Sequence, residues 1–359
     1  MRHRLHSICP YFAMFPEILV KKNLIWSEPG DVVLDPFCGR GTTILESLLA
    51  DRAALGCDVN PVAVCLSRAK AFPPSESRVL ARLQDISEQK GGDLLDVYPE
   101  FFRWCFEMST FKEIIKLKNN LNWRENAEDC FIAAVTLGVL HGESHKTSNC
   151  LSNRMPRTIS TKPKYSVNWW KEKNEYPPKR DVFRIVRDMI EYRYYSEAPE
   201  RQGRVEECDA RNVSDCFSEY RGQVRMVITS PPYLNTTSFA EDQWLRLWFL
   251  GGPDRPEPQQ YKDDRYHDPQ KYWKFLSETW SGMESLLAPK ADIVVRIGGK
   301  RFSADEVTEG LMESFDRGFS RPFSMKGKTT SESERSQSSV FRPGGGGRFV
   351  EYDFHIRIE

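Results

Sequence analysis

At 359 residues the chain is long enough to bury a large core, in one big domain or two smaller ones. Its 51 Lys and Arg balance 51 Asp and Glu, and 40% hydrophobic with 28% charged residues is ordinary for a globular protein in water. No apolar run approaches the ~20 residues of a membrane span, and Met1 to His6 lack an apolar signal core. The nine cysteines form no C-x-x-C pair, so they read as free thiols of a cytoplasmic protein, with neither a disulfide framework nor a metal site.

Residues 10–26 space their apolar groups like a helix after Pro16. Residues 31–37 form a short buried strand, 42–49 a helix, 54–58 the next strand, and Asn60-Pro61 opens a helix through Lys70. This alternation begins a doubly wound parallel sheet. It breaks at Phe72-Pro-Pro74, and from there to about Arg201 the chain is helical and irregular. Residues 101–121, 125–141 and 181–195 carry helical spacing. The stretch 142–180 is polar, basic and aromatic, and is expected to be an insertion. From Lys146 to Arg193, twelve Lys/Arg face five Asp/Glu.

The α/β rhythm resumes around Glu207 to Arg211 and in the strand 224–229. Residues 239–250 read as helix. Asp268-Pro269 caps a long helix with the buried stripe Tyr272, Phe275, Leu276, Thr279, Trp280, Met283 and Leu287. Residues 292–297 are a strand, Ser303 caps a helix ending near Gly318, and 322–325 with 349–358 suggest a terminal hairpin. The expected division is 1–71 with 203–359 as one domain, and 72–202 as a helical insertion.

Two loops carry the chemistry. In Asp35-Pro-Phe-Cys-Gly39-Arg-Gly41-Thr-Thr43, two glycines one residue apart let the backbone turn sharply and approach a ligand beside a helix N-terminus. Asp58, ending the next strand, can accept bonds from both hydroxyls of a ribose. The third glycine of a dinucleotide fingerprint is absent, which argues against NAD and leaves an adenosyl group without pyrophosphate. In Ser230-Pro231-Pro232-Tyr233 the prolines stiffen the turn and remove two backbone donors. The Ser230 hydroxyl and the Pro231 carbonyl can then accept both N–H bonds of an exocyclic amine. Tyr233 offers an aromatic face on which an extruded base can stack.

With both loops present, the chain resembles the amino-methylating DNA methyltransferases, the N4-cytosine/N6-adenine class, over about 1–71 and 203–359. The resemblance implies a Rossmann-like methyltransferase fold: a mixed, mostly parallel seven-stranded sheet with an antiparallel edge strand. It implies S-adenosyl-L-methionine as methyl donor and duplex DNA with one base extruded as partner. Carried over, Phe37, Cys38, Gly39, Gly41 and Thr42 line the cofactor, Asp35 fixes the loop, and Asp58 with Asn60 holds the ribose side. Asp209 meets the adenine amine, and Phe15 with Pro16 forms the N-terminal cofactor cover. A serine before Pro-Pro-Tyr favours cytosine N4, with adenine N6 the alternative. Less favoured are an RNA base as substrate and a nucleic-acid-binding regulator without activity.

Two features depart from that class. Many Ser-Pro-Pro-Tyr enzymes place this motif ahead of the glycine motif, and here the order is reversed. The stretch after the last expected strand is too short for a recognition domain, so target recognition is expected in the insertion. Arg154, Arg157, Lys162, Lys164, Trp169 and Trp170 are the candidates for DNA contact. Oligomeric state stays open.

Overall fold

The computed structural model describes residues 2–11, 16–89, 98–143, 149–155, 162–233, 243–256, 268–299, 303–333 and 349–359. Its strands in chain order are β1 (Val32–Asp35), β2 (Ala53–Asp58), β3 (Gly142–Glu143), β4 (Arg154–Met155), β5 (Arg204–Glu207), β6 (Val224–Thr229), β7 (Leu287–Gly299), β8 (Phe323–Ser333) and β9 (Phe349–Ile358). The chain divides into two compact units. The sheet unit comprises Tyr11–Ser67, Pro199–Thr237 and Asp263–Glu359, and the helical unit Met1–Pro10, Arg68–Ala198 and Ser238–Lys262. The helical unit thus gathers the first ten residues and 238–262 beside the stretch that its sequence sets apart.

In the sheet unit seven strands run in the order β5-β2-β1-β6-β7-β9-β8. β1 pairs in parallel with both β2 and β6, β2 with β5, and β6 with β7. β9 is antiparallel to both neighbours. The sequence rhythm therefore translates into a mixed, mostly parallel sheet, with one adjustment. The antiparallel strand lies one place in from the edge, and β8 forms the edge itself. From β1 the chain order proceeds outward through β2 and β5, and from β6 it proceeds the other way through β7. The junction of β1 and β6 is thus a topological switch point, where open α/β sheets leave a crevice beyond the strands' carboxyl ends.

Alternation along the strands fills both faces of the sheet. Val32 and Leu34 join Val227, Ile293 and Val295 on one side, packed against the helices Pro269–Glu284 and Ala304–Gly318. Val33, Met226, Ile228 and Val294 face the other side, against Leu19, Val20 and Leu24. Asp268 starts the long helix by accepting from the backbone N–H groups of Gln270 (2.8 Å) and Lys271 (3.3 Å), with Pro269 at its first position. Tyr272, Phe275, Leu276, Thr279, Trp280 and Met283 are its buried stripe. Leu287, expected on that stripe, instead opens β7, because the helix ends at Glu284 and the chain turns into the sheet. Ser303 and Glu306 close a reciprocal capping box on the following helix.

The helical unit is built on aromatic packing: Phe101, Phe102, Phe111, Trp244 and Trp248 interlock, with Phe102 and Trp248 ring centres 4.6 Å apart. The single helix expected over 101–121 is two, Glu100–Cys105 and Met108–Asn120. Phe106 is extended, and the Glu107 carboxylate accepts from the N–H groups of Ser109 (2.8 Å) and Thr110 (3.1 Å), restarting the helix. Inside the polar, basic stretch 142–180 lies the helix Pro163–Lys173, begun by its proline and ended at Asn174 in the left-handed region. Among the described residues, no helix is long and apolar enough to cross a membrane.

Candidate active site

The glycine loop follows β1. Gly39 (φ 50°) and Gly41 (φ 73°) both occupy the left-handed region that glycine enters without steric cost. At Gly41 a side chain is also excluded by space, since a Cβ would lie 2.7 Å from Ser67 Oγ. Ser67 Oγ in turn donates to the Gly39 carbonyl at 2.8 Å. Gly41 passes directly into the helix Thr42–Leu49, whose first N–H groups point back along the loop. Cys38 and Thr42 are buried, whereas Phe37 is half-buried, its ring 5.8 Å from that of Phe275.

Asp58 ends β2 and closes this loop from the side. Its Oδ2 accepts the Gly39 N–H at 3.0 Å and its Oδ1 the Asn60 N–H at 2.9 Å. Burial raises its carboxyl to about 6, against the backbone donors of Asn60, Gly39 and Val59. A carboxylate has about four acceptor positions, and three backbone donors leave about one for a hydroxyl donor from a ligand. Asn60 Nδ2 reaches the Tyr11 hydroxyl at 3.4 Å, and Tyr11 Cε1 lies 3.7 Å from where a Cβ on Gly39 would stand. Tyr11 thus covers the glycine bend. Pro16 is exposed and precedes the helix Glu17–Asn23, whose Glu17 pairs with the buried Arg40 of the loop at 3.5 Å. Phe15 lies outside the described residues.

Asp35, fully buried at the end of β1, carries the second raised carboxyl, again at about 6 and again through burial. Its Oδ1 accepts from the Phe37 N–H at 3.1 Å and from the Thr229 hydroxyl at 2.6 Å. Thr229 ends β6 and immediately precedes Ser230. A second tie runs alongside, with Thr43 Oγ1 donating to the Ile228 carbonyl at 3.1 Å. Both loops therefore leave adjacent parallel strands at the same sheet end, and two side-chain bonds join their roots.

Within the second loop, Ser230 Oγ donates to the Tyr233 hydroxyl at 3.2 Å, and the Tyr233 hydroxyl donates to Glu351 Oε1 at 2.9 Å. Arg296 Nη1 holds the other oxygen of Glu351 at 3.2 Å and clamps Asp353 with Nε (2.6 Å) and Nη2 (2.9 Å). Lys22 completes the series at 3.3 Å from Asp353. Burial and the nearby Glu351 charge push the Tyr233 hydroxyl well above its usual range, so it is a protonated donor. Pro231 is buried, while Ser230 and Pro232 are half-buried.

Asp209 follows β5, with both carboxylate oxygens engaged by Arg211 at 3.0 and 2.9 Å. Arg211 also reaches Glu278 at 3.1 Å.

In the helical unit, Arg154, Lys162 and Lys164 are exposed and Trp169 is half-buried. Trp170 departs from its expected role. It is fully buried, packs 5.6 Å from Phe101 and donates Nε1–H to the Arg154 carbonyl at 2.6 Å, so it is core and presents no face to a base. Arg157 lies outside the described residues. Among the described residues no group of three or more His, Cys, Asp or Glu is placed to hold a metal ion.

The family model described as DNA methylase, of the N6/N4 type, matches residues 2–68, which include the whole glycine loop and Asp58. Residues 2–68 carry the N6/N4 DNA methylase pattern. The orphan methyltransferase M.BamHII of Bacillus amyloliquefaciens is 41% identical over 49 residues, 13% of this chain and 18% of that protein. The type II methyltransferase M.MvaI of Kocuria varians is 24% identical over 228 residues, 59% of this chain and 49% of that one. The chain thus spans less than half the length of these two relatives. Among solved structures, TrmN from Thermus thermophilus matches at a TM-score of 0.40 with 10% identity, over 99% of this chain and 53% of that one.

Against this methylase pattern, the residues that sequence reasoning missed are Thr229, Tyr11, Glu351 and Arg296. Thr229 adjoins Ser230 and could have been found as a hydroxyl at a strand end. Tyr11 stands four residues ahead of Phe15, the first residue of the expected cover. Glu351 and Arg296 join the site through β9 pairing with β7, a contact that no local pattern announces.

Proposed function

We propose that the chain transfers a methyl group from S-adenosyl-L-methionine to the exocyclic amine of a base in DNA, with N4 of cytosine as the favoured acceptor. The observation that carries this reading is the 2.6 Å bond between Thr229 and Asp35, which ties the amine-accepting loop to the glycine loop at the switch point. The donor set suits that cofactor. Asp58 has acceptor capacity for a ribose hydroxyl, the glycine bend admits close backbone approach, and Tyr11 with Asn60 borders the bend. When bound, the cofactor supplies an electrophilic methyl on a sulfonium sulfur.

The chain's residues supply position and electrostatics. Ser230 Oγ and the Pro231 carbonyl accept the two amine N–H bonds, drawing the nitrogen lone pair out of ring conjugation and toward the methyl group. The base reaches them extruded from the duplex. Exposed Arg154, Lys162 and Lys164 of the helical unit, with Trp169, make the phosphate and base-edge contacts of target recognition. Cytosine over adenine rests on serine as the residue before Pro231.

Tritiated cofactor incubated with duplex DNA and with RNA side by side tests the reading. Label recovered in DNA as N4-methylcytosine supports it. Label recovered as N6-methyladenine changes the base and keeps the reaction, and label in RNA alone overturns the substrate.

A further inference from the structure

Ser230 has one proton, and the hydrogen-bond chain assigns its direction. It points to the Tyr233 oxygen, whose own proton points to Glu351. Among the described residues none donates a hydrogen bond to Ser230 Oγ, which leaves its lone pairs for a donor on the substrate side. Arg296 grips the far oxygen of Glu351 and both oxygens of Asp353, which holds Oε1 of Glu351 toward Tyr233. Among the described residues, the charged groups around Glu351 are Arg296 on β7, Asp353 two residues along β9 and, beyond Asp353, Lys22. Its register partners Gly298 and Ser331 are uncharged. The series is longer than anchoring a tyrosine requires, and it runs from the candidate nucleophile-binding oxygen to a carboxylate.

We infer that Ser230, Tyr233 and Glu351 form a proton relay that carries away the proton the amine must lose, with Glu351 as a positioning residue and terminal acceptor. This rests on the methyl-transfer reading above. The amine nitrogen bonds the methyl carbon as the carbon–sulfur bond breaks, its electron pair staying on sulfur. The nitrogen is then a cation with one proton too many. That proton passes to Ser230 Oγ, the Ser230 proton to the Tyr233 oxygen, and the Tyr233 proton to Glu351 Oε1, from which water takes it. No group ends with altered charge once Glu351 is deprotonated again. The elevated Tyr233 hydroxyl suits a member that hands one proton on as it receives another.

The test compares wild type with Glu351→Gln, Tyr233→Phe and the double variant, each assayed for S-adenosylhomocysteine affinity, thermal unfolding and single-turnover methylation in H2O and D2O. A relay lowers the turnover rate of each single variant by about 10²-fold, the usual scale for a lost acid–base group. Cofactor-product affinity and KM stay at wild-type values. The double variant loses no more than either single one, and the solvent isotope effect seen in wild type disappears. Should Glu351→Gln not fold, Tyr233→Phe carries the same comparison. Singles that methylate within about threefold of wild type, or losses that multiply in the double variant, overturn the relay. A wild type that methylates no DNA overturns the underlying reading as well, so the two failures are distinguishable.

Discussion

The Thr229 hydroxyl and the Asp35 carboxylate meet at 2.6 Å between the ends of β6 and β1, one residue before Ser230 and four before Gly39. Both side chains are buried. The contact makes the position of the Ser-Pro-Pro-Tyr turn depend on the loop expected to hold the cofactor, and the reverse.

Replacing Thr229 by valine keeps the shape and removes the donor. A buried carboxylate oxygen losing its partner costs ~1–3 kcal/mol, which chemical denaturation will register. Thr229→Ser keeps the hydroxyl and should lose less. We expect methyl transfer to fall more than stability does in the valine variant, because the turn is no longer held in register with the glycine bend.

Two buried carboxyls give the site a pH dependence with a definite sign. Asp35 and Asp58 rise from 3.8 to about 6 on folding. Between those values the folded chain binds more protons than the unfolded one, so stability falls as pH rises through this window. The contribution is complete below about pH 4 and gone above about pH 6. For Asp35 the displacement is worth roughly 3 kcal/mol. Asp35→Asn should therefore gain stability relative to wild type from pH 4 to 7, measured as the difference in melting temperature. A ligand hydroxyl donating to Asp58 favours its ionised form. Calorimetric affinity for S-adenosylhomocysteine should accordingly rise as pH increases through 6, and a flat profile would argue against Asp58 as a ligand-binding group.

Gly41 and Gly222 separate backbone strain from lack of space. Their φ values are nearly equal, 73° and 71°, but a Cβ on Gly222 would meet nothing within 4 Å, whereas one on Gly41 would strike Ser67. Gly222→Ala should cost ~1–2 kcal/mol, the left-handed penalty alone, and leave cofactor affinity intact. Gly41→Ala should cost more and abolish S-adenosylhomocysteine binding in the same titration.

Much of this was legible in the chain before folding. The strands at 54–58 and 224–229 and the helices at 42–49, 269–284 and 304–318 announced themselves through buried runs, N-caps and 3.6-residue spacing. Leu287 was misassigned because the apolar period of the long helix continues past Glu284 by coincidence, into a strand that begins apolar as well. Phe106 and Glu107 broke a helix whose periodicity alone looked continuous, since a cap written in a glutamate carries no apolar signal. Trp170 looked like a surface aromatic in a basic stretch. The helix around it turns that position inward, and composition cannot report a helix phase. Glu351 and Arg296 lie 55 residues apart and meet through antiparallel pairing, which local pattern does not encode.

The same contrast gives a prediction for DNA affinity. Lys162 and Lys164 are exposed, and neutralising both to glutamine should weaken duplex binding across sequences. If each touches a phosphate, the slope of log affinity against log salt should become shallower by about 0.9 per lysine. Trp170→Phe keeps the core and loses one buried hydrogen bond, so it should lower stability by ~1 kcal/mol without changing that slope. Fluorescence anisotropy over a salt series reads both effects.

Ser230→Ala, expressed beside wild type in a host without DNA methylation, puts the central claim to its most direct test when the host DNA is then sequenced for modified bases. Wild type should leave N4-methylcytosine in one short sequence context. The alanine variant should leave none, while its purified form binds S-adenosylhomocysteine as wild type does. Equal modification from both proteins, or none from wild type, would contradict the assignment of Ser230 as the residue that accepts the amine.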